Sequence, residues 1–245
     1  MNIIKQSFKT GFILLFILNV SYAKLSFQRQ SMGETPLDKI LFAYSSCFNI
    51  NPKLLKAITY YESSYNLLAG SCLRGKKQFE FAPHEFPENH RLPQNLCKRK
   101  SKYHGLFQID KRHCKATFKK HQIYPKLREK AIEFPSYLEE TCEDNLYNPD
   151  LNTLVGAFHI AKYIEKINRY CPRASTKNKI ILIYIGHNNG IGVLNKHILQ
   201  KKACSAFKIK RKLKEYYSRP EVKMSVSNGL LKFKTGKKIA KMARK

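Results

Sequence analysis

One carboxylate stands where it could act as an acid. Glu62 closes the segment Ala57-Ile58-Thr59-Tyr60-Tyr61-Glu62 and is followed by Ser63 and Ser64. Leu54, Leu55, Ile58 and Tyr61 recur at helical spacing, so one face of this segment is core. Asn51-Pro52 opens it with a side-chain cap and a proline at the first helical position. Glu62 thus falls where a core helix runs out. Desolvation at such a position favours the neutral carboxylic acid, the form a general acid needs. Downstream, Gln108 is a polar amide between Phe107 and Ile109, within Tyr103-His104-Gly105-Leu106-Phe107-Gln108-Ile109-Asp110. A buried amide must find partners, so Gln108 either braces the fold or contacts a ligand. The run Gly186-His187-Asn188-Asn189-Gly190-Ile191-Gly192 follows a buried-looking segment. Its amides and glycines suit a ligand-facing turn and equally an ordinary one.

Metal chemistry finds no matching pattern. Glu139, Glu140, Glu143 and Asp144 form an acidic cluster, but their spacing fits no standard site, and they read as a solvated face near lysines. The seven cysteines are Cys47, Cys72, Cys97, Cys114, Cys142, Cys171 and Cys204, with no C-x-x-C pair among them. Disulfides in an oxidising compartment are the reading, and the odd count leaves at least one thiol without a partner in the chain. A bridge between Cys72 and Cys97 would close the loop they bracket. No metal and no cofactor is expected.

The elements that must position these groups are mostly helical. Pro36 starts a helix with Leu37, Ile40, Leu41, Tyr44 and Phe48 on one face. Residues 68–104, with Gly70, Gly75, Pro83, Pro87 and Pro93, form a long loop or insertion. A helix is expected over 111–121, with His113 and Cys114 exposed on a basic face, and residues 124–148 read as irregular and then helical. Asn148-Pro149-Asp150 opens a long helix whose apolar residues, Leu151, Leu154, Val155, Phe158, Ile160, Ala161, Ile164 and Ile167, cover much of its circumference. Gly156-Ala157 in its middle suggests close approach of a neighbouring helix. Residues 180–185 hold four isoleucines, and propensity alone favours a strand there.

The formal net charge is +29, from 46 basic and 17 acidic residues, far beyond the needs of solubility. It calls for a polyanion: nucleic acid, anionic lipid or an acidic wall polymer. Residues 1–23 choose among them. Lys5 and Lys9 precede an apolar run from Gly11 to Val20, and Ser21-Tyr22-Ala23 provides a cleavage pattern. This is a secretory signal, too short for a membrane span, and no stable span remains after its removal. The mature chain from Lys24 carries +27 (44 basic minus 17 acidic). Export, to the periplasm or beyond, weighs against a nucleic-acid partner. The last stretch, 223–245, has eight lysines or arginines and no acidic residue, and reads as a flexible or weakly amphipathic basic tail.

These signals together resemble the lytic transglycosylase and goose-type lysozyme superfamily, glycoside hydrolase family 23. The resemblance runs from about Asn51 to Val222 and rests on order: Glu62-Ser63; Gly105-Leu106-Phe107-Gln108-Ile109; Asn148-Pro149-Asp150-Leu151-Asn152 before a Gly-Ala helix; an apolar segment; Asn188-Asn189-Gly190. It implies a mostly α-helical, lysozyme-like domain over residues 24–222, with a substrate groove between helical lobes, and makes residues 180–185 helical. It implies Glu62 as the catalytic acid. Ser63, Gln108, Ile109, His187, Asn188 and one of Tyr216 or Tyr217 would contact substrate. Two residues depart from the family pattern: Phe107 stands where it has methionine, and His187 where it has tyrosine. Asp110 matches an aspartate that positions water in goose-type lysozymes.

The implied substrate is peptidoglycan, cleaved at the β-1,4 bond after N-acetylmuramic acid. One carboxyl group suffices if the sugar's own acetamido group assists. Attack by the C6 hydroxyl gives a 1,6-anhydro product; attack by water would make the enzyme a lysozyme. Without tryptophan, tyrosines and phenylalanines must supply the faces against the sugar rings. Wall carboxylates suit the basic charge, and binding should weaken with salt. A non-catalytic cationic wall-binding or antimicrobial protein is the alternative from another class.

Overall fold

The computed structural model describes residues 36–65, 103–118, 123–132, 142, 146–222 and 224–244. The signal segment, the insertion up to residue 102, the acidic cluster and the Cys72–Cys97 bridge lie outside the described residues. The chain divides at residue 39. Only residues 36–39 of the first unit are described, and they open the first helix; all else belongs to the second unit.

Eight α-helices occur among the described residues: α1 Pro36–Cys47, α2 Pro52–Ser63, α3 Lys111–Phe118, α4 Ile123–Glu129, α5 Pro149–Tyr170, α6 Thr176–Leu194, α7 Ala206–Tyr217 and α8 Val226–Met242. A small hairpin, β1 Tyr103–His104 with β2 Ile109–Asp110, precedes α3, and a π-helical turn, Asn195–Leu199, continues α6. The helices start where polar side chains take up their free N–H groups. Asn51 Oδ1 accepts from Lys53 N at 2.9 Å and Asn148 Oδ1 from Leu151 N at 3.0 Å. Ser175, Ser205 and Ser225 do the same for α6, α7 and α8. Each such cap contributes about 1 kcal/mol.

The core is organised around α6. Every residue from Ile180 to Gly186 is buried. A run buried on all sides needs no alternation, so its isoleucines tolerate a helix, and burial overrides their strand propensity. Long helix α5 packs on α6 and is itself buried along Leu151–Phe158. Gly186 lies against Leu194 and the Tyr163 ring, where a Cβ would come within 2.8 Å and 3.2 Å.

The hairpin is held to α5 by one side chain. Asn152, fully buried, accepts from Phe107 N at 2.8 Å and donates to the carbonyls of His104 and Leu146 at 2.9 and 2.7 Å. Gly105, at φ 70°, leaves room for it: a Cβ there would sit 2.4 Å from Asn152 Nδ2. The neighbour of Gly156 is not a helix, as the sequence suggested, but the Phe107 ring, 2.5 Å from where a Cβ would be.

Three further expectations change. Within the stretch expected to be a flexible or weakly amphipathic tail, α8 is an ordered helix that packs on α6, α7 and α2. Gly229, Phe233, Gly236, Ile239 and Ala240 make a narrow buried stripe, while Leu231 is 60 % exposed. Two of its contacts are glycines, which a hydrophobicity reading passes over; Gly236 lets the helix approach Ile181 Cα, 3.2 Å from a would-be Cβ. The expected helix over 111–121 is described as far as Phe118, and α4 begins at Ile123, where an irregular stretch was expected. Cys114 is buried and bonded to Cys142 rather than exposed. Cys171 joins Cys204, tying the end of α5 to the segment before α7, and Cys47 is a buried free thiol. Loops of 28 and 33 residues closed this way each contribute roughly 3–4 kcal/mol in a chain-entropy account.

Replacing Asn152 by alanine leaves two carbonyls and one N–H without their partner in a dry site. We expect a loss of about 3 kcal/mol or more in urea unfolding. A loss below about 1 kcal/mol would show that these groups find other partners and that the hairpin is held by something else.

Candidate active site

Glu62 lies in the last turn of α2, which ends at Ser63 because the chain then turns left-handed. Ser64 (φ 53°) and Tyr65 (φ 64°) leave the helix, and the Ser64 N–H closes the last turn onto Tyr60 O at 2.9 Å. The Glu62 side chain is 13 % exposed and meets α6, 126 residues further along. Asn188 Nδ2 donates to Glu62 Oε1 at 3.1 Å and to Tyr184 O at 3.3 Å. His187 Nε2 lies 3.7 Å from the same Oε1. Burial, and after it the Glu62 charge, push the Tyr184 phenol well above its ordinary range, so it stays protonated beside the carboxyl group.

A second layer lies behind Asn188. Asn189 Oδ1 accepts from the Tyr217 hydroxyl and from Lys232 Nζ, the latter at 3.0 Å, while its Nδ2 donates to Ile185 O at 2.9 Å. Of the two candidate tyrosines, Tyr217 therefore joins this network, its phenol pushed up to about 12, chiefly by burial. Tyr216 stacks on His197 instead, with ring centroids 4.8 Å apart. Immediately beyond, Gly190 (φ 82°, ψ 159°) kinks α6 in a conformation that favours glycine.

The hairpin supplies the other face. Phe107 meets the His187 ring edge-on, with ring centroids 6.5 Å apart. Gln108, itself left-handed at φ 49°, donates its side-chain amide to Gly105 O at 2.9 Å and so braces its own turn. Ile109 is buried on β2. Ser63 Oγ donates back to Thr59 O at 3.0 Å. Asp110 is engaged by Arg112, whose Nε and terminal nitrogen reach its oxygens at 3.1 and 2.7 Å; it also accepts from Arg112 N at 3.0 Å, as a helix-start cap for α3. Among the described residues no group of three His, Cys, Asp or Glu is placed to hold a metal ion.

Sequence reasoning overlooked Tyr184, Lys232 and His159, and named Asn189 only as part of its motif. Tyr184 is one turn before Asn188, a spacing that could have flagged it. Lys232 carried no signal, since it is one lysine among many. His159, on α5, stacks on His113 at 4.5 Å and bonds Thr117 Oγ1 through Nε2 at 3.1 Å. Burial, reinforced by His113, Lys162 and His187, lowers its pKa to about 3.

That shift has a sign. In the unfolded chain His159 takes up a proton below its ordinary value of 6.5, whereas the native protein refuses it until about pH 3. Native stability therefore falls as pH drops through this window. Against a His159→Gln variant, the wild type should lose relative stability steadily from pH 7 to pH 4 in urea titrations. Parallel stability curves would show that His159 is readily protonated in the native state.

Neither the curated proteins nor the solved structures contain a significant match to the chain. A family model, that of the Transglycosylase SLT domain, matches residues 39–210. This span takes in Glu62, the hairpin, the Asn152 brace and the whole of α6, and the fold is mostly helical as that match requires. The chain belongs to the Transglycosylase SLT domain family, within the lysozyme-like superfamily.

Proposed function

We infer that the chain has a peptidoglycan-cleaving activity of the lytic transglycosylase type, which its family membership supports. We propose that this protein is exported by the signal in residues 1–23 and cuts the β-1,4 bond between N-acetylmuramic acid and N-acetylglucosamine, releasing 1,6-anhydromuropeptides. The observation that carries this reading is the Glu62–Asn188 hydrogen bond, which holds a single, nearly enclosed carboxyl group at the end of a core helix.

The reaction needs one group to give a proton and later take one. Glu62 protonates the bridging oxygen as the C1–O4 bond breaks. The 2-acetamido group covers the anomeric carbon from the opposite side. Carboxylate Glu62 then accepts the C6 hydroxyl proton as O6 bonds to C1, and no water is consumed. Asn188 donates to Oε1 and His187 Nε2 lies 3.7 Å from it, so the carboxyl group is held at the position from which it must give and take the proton. Asp110 supports transglycosylation over hydrolysis: the residue that would position water is paired with Arg112. The excess positive charge holds the enzyme on a wall rich in carboxylates, in the periplasm or outside the cell.

The test is a digest of purified peptidoglycan with the mature protein, read by mass spectrometry. We expect anhydromuropeptides, reduced at least about a hundredfold in Glu62→Gln. Products heavier by one water would make the enzyme a lysozyme. Normal turnover by Glu62→Gln would remove Glu62 from the chemistry, and no products from the wild type would favour a wall-binding protein.

A further inference from the structure

The family match ends at residue 210, yet α8, residues 226–242, reaches the centre of the site. Lys232 is its contribution. Nζ lies 3.0 Å from Asn189 Oδ1 and 3.4 Å from the backbone carbonyl of Asn188, and it sits 5.7 Å from the centre of the Tyr217 ring. The other lysines of α8, Lys234, Lys237, Lys238 and Lys241, are exposed, whereas Lys232 is half-buried.

Lys232 meets a local need of α6. The backbone leaves helical geometry at Gly190, within the turn that follows Asn188, and Lys232 Nζ reaches the Asn188 carbonyl there. A lysine ammonium can donate to such a carbonyl, as basic side chains do at helix C-termini. The same ammonium and the Tyr217 hydroxyl converge on Asn189 Oδ1, so the turn carrying residues 187–189 is tied to both α7 and α8. Keeping an ammonium partly out of water is costly unless it is well bonded. Burial lowers the Lys232 pKa, while the Glu62 charge acts in the opposite sense, which places the two groups within each other's field.

We propose that α8 is a working part of the active site and that Lys232 is a positioning residue, which acts through Asn189 and the Asn188 carbonyl to hold the Asn188 amide on Glu62. It does not touch the reacting atoms. The proposal rests on the reading of Glu62 as the acid. It extends the catalytic unit beyond the family's matched core.

The experiment uses the full mature chain on soluble glycan strands. Wild type is compared with Lys232→Met, Lys232→Arg, Asn189→Ala and the Lys232→Met/Asn189→Ala double variant. Lys232→Met should lower kcat about tenfold with KM within about twofold, since an interaction that orients the acid acts on the chemical step. Lys232→Arg, which keeps a charged donor, should recover most of that loss. The double variant should be no slower than the slower single one, because both changes cut the same link. Unchanged kcat in Lys232→Met, or losses that multiply in the double variant, would overturn the proposal. Hydrogen exchange separates it from the functional reading: Lys232→Met should speed exchange of the 186–192 amides even if the wild type cleaves nothing. Unaltered exchange there overturns the positioning role, and absent wild-type turnover alone counts against the proposed function.

Discussion

A helix buried on every side cannot turn about its axis. That is the constraint on which this structure depends. From Ile180 to Gly186, α6 presents no free face, so its rotation is fixed before any polar group is considered. Burying each of those isoleucine side chains is worth about 1.5–3 kcal/mol, and any rotation would bring them against differently shaped neighbours. The next residues, His187 and Asn188, emerge from that locked rod at a fixed angle, and Glu62 meets them from the end of α2. The hydrogen bond between Asn188 and Glu62 is thus a product of packing more than its cause.

Around this rod most of the bracing is done by neutral amides, with the Lys232 ammonium as the charged exception. Asn152 anchors the hairpin, Asn189 gathers Tyr217 and Lys232, and Gln108 closes its own turn. Amides suit the task, since each offers donor and acceptor together and none changes charge with pH. The protein's large positive charge is kept for its surface: Arg112 and the lysines of α8 other than Lys232 lie outward. The charged surface and the amide network around Glu62 are therefore built from largely different residues.

Much of this was readable in the chain. The caps of α2 and α5, the core faces of both helices and the end of α2 at Glu62 follow from residue type and spacing. The identity of residues 180–185 as helix did not follow from propensity; it came from the order of motifs, because local preference carries no information about burial on all sides. Residues 223–245 were misread for the same reason in reverse. Their packing relies on Gly229 and Gly236, whose contribution is an absence of side chain. Lys232 was invisible because its role lies in where α8 docks, not in what a lysine is. Gln108 was open between bracing and binding, and the contact with Gly105 O supports bracing.

Phe107 bridges two helices. Its ring sits where a side chain at Gly156 of α5 would stand, and it meets the His187 ring of α6 edge-on, with centroids 6.5 Å apart. A change of size at position 107 is therefore felt in two places at once: as a gap or a clash over Gly156, and as a lost neighbour for the histidine beside Glu62.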